Sequence, residues 1–356
     1  MIKKNIIALL SIIAVIGITM YFPYRPTPVK IKYPESWPKP IYNFDKNPLT
    51  QEGIDLGRML FYDPILSKDS SISCSNCHLS YTAFTHVDHA LSHGVNDSIG
   101  ARNSPALMNL AWHNSFMWDG AVNHLDVQAL APISHPAEMD EDINNIIKKL
   151  KGHSTYKESF YKAFQDSTIT GEHLLKAISQ FELTLISCNS KYDSVMLKTQ
   201  VFTLQEERGY ALFKKDCSSC HAEPFFTNNQ IENNGLPIDP ILLDLGRYDI
   251  TKKKTDSLKF KVPTLRNIEF SYPYMHDGRF KSISEVLNHY TNNINLSNTL
   301  SNKLKSKIKL TSNQKVDLTA FLLTLSDKNF LFNNNHTFPI NLFFNQKKKS
   351  NLKNKY

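Results

Sequence analysis

The chain has 356 residues, 41% of them hydrophobic and 21% charged. That is enough for two globular domains and too apolar for a disordered chain. The formal net charge of +8 sits mostly at the ends, with Lys3 and Lys4 at the start and five lysines but no acid after Phe330, leaving about +1 for the body; this excludes a nucleic-acid-binding face, which needs a basic stripe on a folded domain.

In chain order, the basic segment MIKKN precedes the apolar, uncharged stretch 6–22 (IIALLSIIAVIGITMYF). It reads as a signal peptide or an uncleaved membrane anchor. The stretch is at the lower limit for a spanning helix, about 17–25 residues. No A-x-A site follows it, which favours the anchor. Either reading places the rest in the periplasm or cell envelope, where thiols tend to oxidise. The polar, proline-containing run 23–48 reads as a linker.

Thr50 is positioned to cap a helix reaching about Phe61, with Ile54, Met59 and Leu60 on its apolar side. Gly57 and Leu60-Phe61 then precede CSNCH at 74–78. A second unit repeats this order: Thr203 with Glu206 forms a capping box, Gly209 and Leu212-Phe213 follow, and CSSCH occupies 217–221. G-x-x-L-F ahead of C-x-x-C-H, twice at different gaps, reads as a duplicated domain. Between the units, Leu174, Ile178, Phe181 and Leu185 recur at helical intervals over 172–186. SCNSKYDS (187–194) interrupts this pattern and suggests a junction near 190–200. The expected organisation is a first domain over 49–196, a second over 197–330 and a basic tail over 331–356. No run of alternating strands is evident, so the fold class is all-α with long loops.

Four of the five cysteines lie in the two C-x-x-C-H units. A C-x-x-C pair can be a redox disulfide, but that chemistry does not require an adjacent histidine twice. Two pairs can build a four-cysteine zinc site, but this leaves both histidines spare and the pairs are far apart in sequence. Covalent attachment of c-type haem uses all six residues: Cys74, Cys77 and His78, then Cys217, Cys220 and His221. The thiols bond to the porphyrin and each histidine to an iron. The face opposite the histidine separates electron carriers from catalysts, since a fully coordinated iron passes electrons while an open position binds oxidant. Cys188 is left as a buried thiol.

Further segments carry a resemblance: LGRMLFYDPILS (56–67), RNSPALMN (102–109), FMWDG (116–120), QALAPISHPAEM (128–139), FELTLISCNSKYD (181–193), DLGRYDIT (244–251), VPTLRN (262–267) and YPYMHDGRF (272–280). Over about Leu56 to Tyr290 the sequence resembles the bacterial di-haem cytochrome c peroxidase and MauG superfamily. The resemblance implies two cytochrome-c-like haem domains, a peroxide-reacting first haem and an electron-transferring second haem.

It also implies roles for particular residues. Glu138 matches the acid–base glutamate, and O–O cleavage needs such a proton carrier. Gln128 and Pro132 match residues lining the same open face. Trp118 matches the tryptophan between the haems; a core aromatic is the bland reading. An arginine often follows W-D-G, but here the residue is Ala121. Among His86, His89 and His93, His93 best fits the loop histidine that caps the first iron in resting peroxidases; a mobile polar loop is the bland alternative. Tyr290 stands where peroxidases carry a methionine ligand to the second iron and where MauG carries tyrosine. A phenolate stabilises ferric iron, whereas a thioether raises the potential. Met275 and His289 compete for this role, Met275 being expected to pack. Asn103, Ser271 and Pro273 match calcium-holding positions, and oxygen donors suit that ion.

The reading is a di-haem peroxidase that reduces hydrogen peroxide with electrons from a small donor such as cytochrome c. One alternative is MauG-like oxidation of a protein or organic substrate, which Tyr290 favours. A pure electron-transfer cytochrome is the non-enzyme alternative; Glu138, Gln128 and Pro132 speak against it.

Overall fold

A computed structural model describes residues 24–343. The signal or anchor expected at 6–22 lies outside the described residues, among which no helix is long and apolar enough to cross a membrane.

The first unit runs through α1 (Gln51–Tyr62), α2 (Cys74–Cys77), α3 (Leu130–Ser134), α4 (Ile143–Lys151), α5 (Ser154–Phe164) and α6 (Gly171–Glu182). The second begins before the expected 197, because Tyr192 packs in its core, and contains α7 (Lys191–Met196), α8 (Leu204–Asp216), β1 (Ile231–Glu232), α9 (Arg247–Thr251), β2 (Phe260–Lys261), α10 (Ile283–Asn292), α11 (Ser312–Leu323) and α12 (Lys328–Leu331). The two-residue strands pair antiparallel. The described chain is thus helical with little sheet.

Both expected caps form. Thr50 Oγ1 accepts from Gly53 N–H at 3.0 Å. Thr203 N–H donates to Glu206 at 2.7 Å, and Glu206 N–H donates back to Thr203 Oγ1 at 3.3 Å. Each cap satisfies helix donors that have no intrahelical partner.

The duplicated glycines explain how each unit closes. α1 packs on α6, and α8 on α11. A Cβ on Gly57 would lie 1.8 Å from Ala177 O, and one on Gly209 would lie 2.0 Å from Asp317 O. Close backbone crossing therefore requires glycine at both positions. α6 ends at Glu182 rather than 186. Asn109 takes the following backbone instead: its N–H donates to Leu185 O at 2.8 Å, and its Oδ1 accepts from Ser187 N–H at 3.0 Å. Leu183, the C-cap with helical dihedrals, and Leu185 beyond it both stay buried.

Two compositional readings are corrected. The run 23–48 is not a free linker from residue 24 onward. Trp37 is buried and meets Trp112 and Phe225 edge-on at 5.4 and 4.8 Å. Val29, Ile31, Tyr33, Tyr42 and Phe44 pack against the same core. Aromatic burial outweighs the polar, proline-rich composition. The basic tail does not begin at 331 either. His336 is buried, Arg58 donates to Asn334 O at 2.6 Å and to Thr337 O, and Leu342 and Phe343 pack against the first unit.

Several motif residues are structural. Arg266 is fully buried and bonds Asp193 at 2.7 and 2.9 Å, with its guanidinium 4.9 Å from the Trp37 ring centroid. Asn267 receives Asp327 N–H at 2.7 Å and donates to Ser187 Oγ at 3.0 Å. Cys188 is only partly buried and packs at the edge of this core.

Candidate functional site

The first cysteine pair lies on a single helical turn. Ser73 and Asn76 cap it reciprocally, Ser73 N–H donating to Asn76 Oδ1 at 2.9 Å. One turn carries Cys74 and Cys77, and His78 follows as its C-cap. At the second unit Cys217 ends α8, and the N–H groups of Cys220 and His221 close onto Cys217 O at 3.1 and 3.0 Å. All four thiols are free, and burial pushes each of them up.

Both histidines share one tautomer. His78 Nδ1 lies 2.6 Å from Phe84 O. His221 Nδ1 divides its bond between Phe226 O at 3.2 Å and Pro263 O at 3.1 Å. A carbonyl only accepts, so Nδ1 carries the proton and Nε2 keeps its lone pair. Burial pulls each imidazole down to about 4, which keeps it neutral.

One continuous cavity of ≈ 700 Å³ touches Cys77, His78, Cys217, Cys220 and His221. Its size lies within the ~300–1,000 Å³ expected of cofactor sites. Free thiols beside imidazoles with a bare Nε2 are the donor set that covalently attached haem requires.

Gln128, Pro132 and Glu138 line this cavity together with His78. Pro132 sits in the short helix α3, and the turn after it returns through Glu138 N–H to His135 O at 3.0 Å. Burial raises the Glu138 carboxyl, while His135, with Nδ1 at 3.9 Å, lowers it. Gln128 Nε2 lies 3.6 Å from Met117 Sδ. Trp118 also lines the cavity and is held from both units: its Nε1–H donates to Asn103 O at 2.8 Å, and its carbonyl accepts from Lys261 N–H at 2.6 Å.

Tyr290, on α10, lines the cavity, and burial pushes its phenol up to about 12 against an opposing bond to Asn234. Met275 does not pack away as expected. It too lines the cavity, its Sδ 3.5 Å from Asn234 Nδ2. His289 is not part of the cavity wall; it is buried, with Nε2 donating to Asn234 O at 3.1 Å.

His93 also stands outside the cavity wall. Its Nδ1 meets Asp97 at 2.7 Å and its ring packs on His89 at 4.3 Å. Asn103, Ser271 and Pro273 do line the cavity, and Asn103 Nδ2 donates to Ala90 O at 2.9 Å.

Sequence reasoning missed the cations at the junction between the units. Arg102 forks onto Asp244 at 2.6 and 2.8 Å and reaches Asp119 at 2.6 Å. Arg247 donates to the carbonyls of Asp119 and Gly120 at 3.0 and 2.6 Å. These two place guanidinium groups beside W-D-G, where Ala121 offers none. His113 and Lys261 also line the cavity, with Lys261 Nζ 2.7 Å from His113 Nδ1. Arg102 opens one motif and Lys261 precedes another, but a lone basic residue in sequence reads as solvated surface.

A helical two-unit fold with duplicated thiol–imidazole sites defines a class, the c-type di-haem proteins. Comparisons make the class definite. The family model described as di-haem cytochrome c peroxidase matches residues 51–201. The methylamine utilization protein MauG of Methylorubrum extorquens is 33% identical over 308 residues, covering 83% of this chain and 83% of that protein. Cytochrome c551 peroxidase of Nitrosomonas europaea is 35% identical over 238 residues, covering 65% of this chain and 71% of that protein. The crystal structure of a MauG-like protein associated with microbial copper homeostasis superposes with a TM-score of 0.79 at 30% identity, covering 88% of this chain and 99% of that one. The chain belongs to the di-haem cytochrome c peroxidase and MauG family, and that family carries two haem c groups.

Proposed function

We propose that this protein is an oxidoreductase that consumes hydrogen peroxide at its first haem site and draws electrons through its second. Cys74, Cys77 and His78 would hold the first haem, and Cys217, Cys220 and His221 the second. When bound, the haem supplies an iron centre able to take electrons from or give them to an oxygen substrate. The observation that carries the reading is the Glu138 carboxyl, raised by burial, on the cavity that also holds His78.

Glu138 takes the proton from one peroxide oxygen and returns it to the other, so that the second leaves as water. Gln128 hydrogen-bonds the substrate without titrating. Pro132 fills space without offering a lone pair. Trp118, fixed from both units, provides an oxidisable ring between the two sites. The default reductant is a small cytochrome c or similar carrier. A cell-envelope location follows from residues 6–22 and from haem c attachment, which takes place outside the cytoplasm. A calcium ion at Asn103, Ser271 and Pro273 would brace the cavity wall through oxygen donors.

A MauG-like reaction on a protein or organic substrate is the second reading, favoured by Tyr290 on the cavity wall. The test uses matured holoprotein and peroxide, with and without prior one-electron reduction. Turnover of cytochrome c only after reduction supports the peroxidase. Direct reaction of the fully oxidised protein supports the MauG-like reading. Inertness in both states overturns both and leaves an electron carrier. Loss of turnover on calcium chelation supports the ion; no change removes it.

A further inference from the structure

Lys261 is a partly buried cation without a carboxylate partner among the described residues. Its ammonium meets His113 Nδ1, at 2.7 Å. Among the described residues no Asp or Glu oxygen lies within ion-pair reach of it. The other basic side chains on the same cavity are already matched: Arg102 holds Asp119 and Asp244, and Lys303 holds Glu232 at 2.9 Å. Burial alone pulls the Lys261 amine down to about 7, while burial and then the Lys261 charge depress His113 strongly. A desolvated ammonium is costly unless an anion meets it. This one points at the cofactor space.

Its position says which anion fits. Lys261 ends β2, and Pro263, two residues on, carries the carbonyl that bonds His221. Its own N–H holds the Trp118 carbonyl. His113 comes from the first unit, so the pair straddles the junction between the two sites. The anions that a c-type haem brings into its cavity are its two side-chain carboxylates.

We propose that Lys261, supported by His113, is the receptor for a haem carboxylate at the junction between the two centres. This rests on the haem reading above. The ammonium donates to the carboxylate and offsets its charge, while the imidazole holds the amine in place. Lys261 is thus a positioning residue that sets haem potential, not a catalytic one.

A positive charge at a haem carboxylate withdraws electron density and favours the reduced iron. In holoprotein, Lys261→Gln should retain two covalent haems and lower the midpoint potential of at least one of them. Lys261→Arg should stay near the wild-type value. The propionate bending band in resonance Raman spectra should move in the Gln variant and in His113→Gln, whose fold is less at risk. Two haems with unchanged potentials and unchanged Raman bands in these variants would overturn the assignment. Wild-type protein without two haems would instead overturn the haem reading itself, so the two failures are distinguishable.

Discussion

At Glu138 the chemistry depends on a proton held by a partly buried carboxyl. Burial raises this carboxyl and His135 opposes the rise. Turnover needs the carboxylate, so the rate should fall as pH drops through that raised value. The acid limb should therefore lie above the ~4.3 of a free glutamate. Replacing His135 with Asn removes the opposing charge and should move the limb to still higher pH; an unmoved limb would separate the two residues. Glu138→Gln should keep both haems and lose about 10²–10⁴-fold in turnover, the usual weight of one general acid–base group. Tyr290 and Met275 share the cavity wall and both approach Asn234. Tyr290→Phe should perturb the low-spin haem band while Met275→Leu leaves it unchanged. The reverse result would assign the second iron to the thioether.

Each helical unit depends on one crossing without a side chain. Gly57 and Gly209 sit against main-chain carbonyl oxygens, which cannot swing aside as a side-chain end could. Gly209→Ala should force α8 from α11 and destabilise the second unit by about 1–3 kcal/mol or more, the range for overpacked cores. Gly152, whose nearest clash is a milder 3.1 Å, is the control and should tolerate alanine. Denaturant midpoints of the two variants check this; equal midpoints would remove the crossing argument.

For the whole molecule, one buried carboxyl makes stability depend on pH. Glu182 closes α6 in full burial with Oε2 unpartnered, and burial pushes its carboxyl up to about 8, with Asp126 adding to the rise. The folded state keeps a proton that the unfolded chain releases near pH 4.5. Stability therefore falls as pH rises from that range to about 8, by roughly 5 kcal/mol at most. Glu182→Gln should flatten this slope and make holoprotein more resistant to guanidinium at about pH 8.5 than wild type. A variant that keeps the wild-type slope would show that the carboxyl is already ionised in the fold.

The sequence by itself determined the haem-attachment pattern, the two caps, the paired glycines and the family. These are covalent or local features, written in spacings of a few residues. It was silent or misleading where distant segments meet. Strap residues around Trp37 read as linker because composition does not show what a tryptophan packs against. Arg102, Arg247, Lys261 and His113 were passed over because a charge in a string carries no burial. His93 matched the loop histidine that the resemblance implies at the first iron, yet it pairs with Asp97, packs on His89 and stands outside the cavity wall. Only the tertiary structure decided which charges share the cavity, because desolvation and pairing exist only once separate segments have closed around the same space.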